Sequence, residues 1–98
     1  MILYTTAAAS VTSVNDTASS TQLLAANAQR LGGTFFNDST EVLYLKLGTT
    51  ATTSSFTVKI AAGGYYELPT PVIYVGKIDG IWANDASGKV LITELTTI

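Results

Sequence analysis

Two residue types are missing from this 98-residue chain altogether, cysteine and histidine. Without cysteine there is no disulfide, no thiolate nucleophile and no thiolate metal ligand; without histidine the commonest acid–base group and a principal zinc ligand are lost as well. A cysteine hydrolase, a histidine-activated serine and a structural zinc site of the usual kind are thereby excluded. The missing cysteines leave the redox compartment open. Charge is scarce too. Asp, Glu, Lys and Arg make up 12% of the chain, against about 25% in an ordinary soluble domain. Five scattered basic residues and a net charge of −2 form no footprint for a phosphate backbone, so nucleic acid is not an expected partner. No segment approaches the roughly 20 apolar residues of a membrane span, and no membrane partner is expected either. The opening MILYTTAAASVTSV lacks a basic n-region, and Thr and Ser interrupt its apolar run. It reads as part of the mature protein, made in a cytoplasm.

What is present is an ordinary apolar share, 47%, with Thr, Ser, Ala and Gly in the places that charges usually take. Such a surface is either wetted by hydroxyls or kept against a neighbour, where a buried charge would be costly. The length suits one domain of roughly 100 residues with a single core. Residues 1–20 carry one charge, Asp16, and form either a first strand or an extended N-terminal arm with an apolar tip, Ile2, Leu3 and Tyr4. Residues 21–98 form a single β domain.

The strand EVLYLKLG, residues 41–48, poses the main question. With a period of two, Leu43, Leu45 and Leu47 share one face and Val42 and Tyr44 the other, so the strand is apolar on both sides. FTVKI, residues 56–60, alternates with Phe56, Val58 and Ile60 inward. TQLLAA is a short strand; NAQRLGG is a loop, or LLAANAQRL forms two helical turns that Gly32 and Gly33 would stop. Asn37, Asp38, Ser39 and Thr40 predict a four-residue hairpin loop. AAGG turns the chain into YYEL, which ends at Pro69 and Pro71. VIYVGKIDGIWA and KVLITEL form a last hairpin around the Asn84, Asp85 and Gly88 turn. The expected fold is all-β, a single small antiparallel β-sandwich or barrel of six to seven short strands with an extended N-terminal segment.

No set of residues carries chemistry. Asp79 and Glu94 are the best carboxylate pair, expected on paired strands, but two carboxyls need a cleft to act as acid and base. The loops at 37–40 and 84–88 each offer one carboxylate, too few for calcium. Gly63 and Gly64 lack the lysine and the helix of a phosphate loop. Ser87 and Lys89 are near in sequence and nothing more. No enzyme activity, cofactor or metal is expected. Tyr65 and Trp82 are candidates for an aromatic binding platform, with core packing the competing role for Trp82. Tyr65 and Tyr66 face opposite ways if they share a strand. Val42, Tyr44, Val72 and Tyr74, together with Ile2, Leu3 and Tyr4, are the candidates for an interface with a second copy or another protein.

The order LLAANAQRLGGTFFNDSTEVLYLKLG, then FTVKIAAGGYYELP, then GKIDGIWANDASGKVLITEL resembles a family of small β proteins in the virions of tailed bacteriophages. The likeness spans roughly residues 21–95, and LPTPVIYV is longer and more apolar than in that family. The resemblance implies a virion structural protein, with capsid decoration (cement) as the leading role and tail, neck or fibre roles beside it. Its implied partners are itself, as a homotrimer, and the major capsid protein or another virion protein. A carbohydrate- or receptor-binding module is the rival reading from the aromatics.

Overall fold

A computed structural model describes residues 7–85 and 87–98; Ile2, Leu3 and Tyr4 lie outside the described residues. Eight strands, rather than six or seven, follow in order: β1 (Ala8–Asn15), β2 (Thr21–Leu24), β3 (Arg30–Ser39), β4 (Leu43–Leu47), β5 (Val58–Ile60), β6 (Tyr65–Glu67), β7 (Ile78–Trp82) and β8 (Gly88–Thr96). They form two four-stranded sheets. Sheet A has the order β1-β8-β3-β6 and sheet B the order β2-β7-β4-β5, and every pair of neighbours is antiparallel. No helix occurs among the described residues.

The core is the space between the sheets. Leu43 and Leu45 of β4, Ile78 and Trp82 of β7, Phe35 of β3, and Val90 and Ile92 of β8 are all fully buried there. The leucine face of 41–48 is thus the core face. Each such side chain contributes about 1.5–3 kcal/mol by leaving water. Gly80 of β7 sits among them because a Cβ would lie 2.8 Å from Leu23 Cδ1 and 3.0 Å from Leu43 Cδ1. Opposite it, β2 is irregular between Gln22 and Leu24, so both Leu23 and Leu24 reach the interior.

Several expected pairings are replaced by crossovers. Residues 37–40 do not close a hairpin, because β3 runs on to Ser39 in sheet A and β4 starts in sheet B. β7 and β8 also lie in different sheets, and residues 72–75 are irregular rather than strand. Among connections between consecutive strands, only that from β4 to β5 joins hydrogen-bonded partners. The helix alternative for 23–31 fails as well: Arg30, Gly32 and Gly33 all lie in β3. Phe56 is not inward either. It precedes β5 and is partly exposed on the outer side of sheet B. Gly88 opens β8 at φ 133°, and a Cβ there would collide with the Asp38 carbonyl.

Asn37 ties the two sheets together and is fully buried. Its Nδ2 donates to Glu41 O at 2.8 Å, Ile60 O at 2.9 Å and Ala61 O at 3.2 Å. Its Oδ1 accepts from Ser39 Oγ at 2.7 Å and from Trp82 Nε1 at 3.2 Å. A turn-forming residue in the sequence is therefore a buried hub, placed where the chain leaves sheet A for sheet B.

Candidate interaction surface

The expected carboxylate pair does not assemble. Asp79, on β7, accepts from Thr50 N at 2.7 Å through Oδ2, and Lys77 Nζ lies 3.3 Å from its Oδ1. That second approach is an ion pair outside hydrogen-bond geometry, so Oδ1 is buried without a hydrogen bond. Glu94, on β8, accepts from Arg30 Nε at 2.8 Å. Arg30 is buried at the end of the sandwich, where an irregularity between Arg30 and Gly32 turns it inward. Its other donors go to Tyr74 O and Gly76 O at 3.0 Å each and to Ala25 O at 2.6 Å. The guanidinium is a clamp on the 72–77 segment. Ser87 and Lys89 are exposed on either side of Gly88. No group of three or more acidic side chains that could hold a metal ion occurs among the described residues.

The aromatic candidates separate. Trp82 is a core anchor, fully buried, with its indole N–H on Asn37. Tyr74 packs against the core and donates its hydroxyl to Lys77 O at 3.0 Å. Tyr44 is half-buried beneath its own chain: Phe56 meets its ring edge-on at 5.0 Å and Lys59 Nζ lies 5.5 Å from the ring centre. Val42 is half-buried, and Val72 is exposed in the segment before β7. Tyr66 packs inward beside Phe35, and burial pushes its hydroxyl pKa up. Tyr65 points the other way and is 63% exposed.

Tyr65 belongs to a surface that the sequence reading did not assemble. On the outer side of sheet A, the register sets Tyr65 opposite Phe36, Phe36 opposite Leu91, and Leu91 opposite Ser13, a row across all four strands. The next rows are Glu67–Thr34–Thr93–Val11 and Gly32–Leu95–Ala9. Val11, Phe36, Tyr65 and Leu95 are all exposed. Charge lies only at the margins, on Glu67 and on the opposed Asp38 and Lys89. Leu95 also borders an open groove of about 500 Å³ lined by Ala7, Arg30, Leu31, Thr70, Pro71 and Ile73. Because the donors of Arg30 point to neighbouring backbone and Glu94, the groove offers mainly aliphatic surface.

The signal for this face was in the chain. TFFND and KVLITEL put apolar residues at both parities, as EVLYLKLG does. Of Phe35 and Phe36 in one strand, one must face out. No family model, no curated protein and no solved structure matches this chain.

Proposed function

We propose that the chain is a non-enzymatic adhesive protein of a tailed-phage virion, of the capsid decoration (cement) kind. The outer face of sheet A is its docking surface on a shell protein. The Tyr65–Phe36–Leu91 row, in which Tyr65 and Phe36 are exposed and Leu91 half-buried, has charge only at its margins and carries this reading. Monomeric soluble proteins seldom leave large contiguous apolar patches bare, and such patches mark interaction sites. The resemblance of residues 21–95 supplies the virion context.

The mechanism is adhesion by desolvation. Burial of roughly 1,000 Å² of apolar surface supplies on the order of 25 kcal/mol gross, before large entropic costs. Many copies on one lattice add avidity without a strong single contact. Tail, neck and fibre positions would use the same surface. A second reading, glycan binding, draws on Tyr65 and Phe36 standing side by side.

Co-sedimentation of purified protein with shells of the major capsid protein from the same phage tests the proposal, with a glycan array run in parallel. Saturable binding to shells and a blank array support it. Failure to bind any shell or tail assembly overturns it, and array binding by the free protein moves the assignment to the second reading.

A further inference from the structure

The four sheet edges are unequal. β6 and β5 have three residues each, Pro69 follows β6 closely, and β2 has four residues with a bulge. Short length, proline and bulges are the devices that stop an edge from recruiting another strand. β1 has none of them. Its eight residues, AASVTSVN, contain no charge and no proline, and they pair with β8 in unbroken register. Its other side has no neighbouring strand among the described residues.

We infer that β1 pairs with β1 of a second copy of this chain, antiparallel about a twofold axis at Val11, joining the two A sheets into one continuous sheet. The inference does not rest on the virion reading; it follows from the edge. Asp16 N donates to Gly88 O at 3.2 Å, one step beyond the Asn15–Lys89 pair. By the alternation of an antiparallel ladder, even-numbered residues of β1 turn their N–H and C=O groups toward β8. Ala9, Val11, Ser13 and Asn15 turn theirs toward the free edge.

A twofold axis normal to the sheet must set some residue opposite itself, since only then do facing side chains share a side of the sheet. With Val11 at the axis, Ala9 faces Ser13 of the copy, and three of the four outward-bonding residues, Ala9, Val11 and Ser13, exchange both hydrogen bonds; Asn15 falls opposite Ala7, ahead of the strand. Val11, 68% exposed, gains its own copy as an apolar neighbour on the outer face. No like charges meet at the axis. Glu94, beside Ser10, is held by Arg30, and Asp16 lies past the strand end. The other edge of sheet A, β6, is too short to take the eight residues of β1, so the contact closes as a pair rather than running on as a filament. The two apolar outer faces then form one surface.

Sedimentation equilibrium of the full chain tests this. The expected result is a concentration-dependent species of twice 10.3 kDa. Val11→Pro removes a donor from the free edge alone, so it keeps the circular dichroism spectrum and loses the dimer. Thr12→Pro removes a donor to β8 and lowers the melting temperature. Val11→Lys, at an exposed position and facing itself across the axis, also gives monomer and guards against misfolding of the proline variant. In this cysteine-free chain, Val11→Cys cross-links two copies under mild oxidation. A monomer at every concentration, a species of three times the chain mass, or a dimer that survives both Val11→Pro and Val11→Lys overturns the inference.

Discussion

The two sheets resemble each other on the inside and differ on the outside. Both inner faces are leucine, isoleucine, valine and aromatic residues packed out of water. Outside, sheet B is finished by its own chain. The segment after β4 lies over it: Lys46 Nζ donates to Ser55 Oγ at 2.8 Å, Leu47 N to Thr57 Oγ1 at 2.9 Å, and Thr50 N to Asp79 Oδ2 at 2.7 Å. Phe56 then covers Tyr44. On sheet A, the exposed Phe36, Tyr65 and Val11 lie on the outer face instead. The difference teaches that apolar alternation on two faces of a strand has two physical solutions, a loop of the same molecule or a neighbour. This chain uses the first on sheet B, and our proposal assigns the second to sheet A.

The comparison is only meaningful while the sheets stay joined, and Asn37 joins them. Asn37→Leu takes the side-chain donor from the Ile60 carbonyl and the acceptor from the indole N–H of Trp82, while the Glu41 carbonyl keeps only Ser39 Oγ. Each buried polar group left unpaired costs about 1–3 kcal/mol, so a loss of roughly 4 kcal/mol is expected in urea unfolding. Arg30→Met comes next. It leaves Glu94 and three backbone carbonyls unpaired, a loss of about 3 kcal/mol, and the Arg30→Met/Glu94→Leu double variant recovers part of it by removing the stranded charge.

Strand existence was legible in part, since 72–75 carries no strand and Arg30–Gly33, expected as loop, opens β3; strand partnership was less legible still. Period-two alternation located β4 and the inward Leu43 and Leu45, because the face a side chain takes is a local property. Whether β7 pairs with β8 or crosses to the opposite sheet leaves the same alternation in each, so the last hairpin was misread. Phe56 alternates correctly with Val58 and Ile60 yet leaves the ladder, since its ring finds Tyr44 outside. The helix alternative at 23–31 rested on propensity, a weak prior that pairing with β7 and β8 overrides. Asn37 read as a turn former because its type favours turns; its burial depends on carbonyls more than twenty positions away in Ile60 and Ala61. The candidate surface was half legible: the rule applied to Tyr65 and Tyr66 also holds for Phe35 and Phe36, but the alignment of Tyr65, Phe36 and Leu91 needs the register.

Smaller effects sharpen the contrast between the faces. Phe56→Ser removes the cover of Tyr44 and lowers stability by about 1 kcal/mol, the scale of an aromatic edge contact. Phe36→Ser, on the bare face, changes urea stability by no more than about 0.5 kcal/mol. The least effect is alkaline. The folded state raises the pKa of Tyr66, so the neutral hydroxyl is favoured in the fold and its contribution is complete below the ordinary tyrosine value. That contribution is lost as pH rises through the folded pKa, because the unfolded chain has by then released the proton. Tyr66→Phe should flatten the alkaline end of the melting-temperature profile and leave neutral pH unchanged.

The most direct measurement sets two double variants side by side, Phe36→Ser/Tyr65→Ser and Val42→Ser/Tyr44→Ser, and reads shell binding and melting temperature for each. The account predicts that the first pair abolishes co-sedimentation while melting as the parent does, and that the second melts earlier and still binds. Binding that survives the first pair and disappears with the second, at unchanged melting temperature, would contradict it and return the interface to the face of Tyr44.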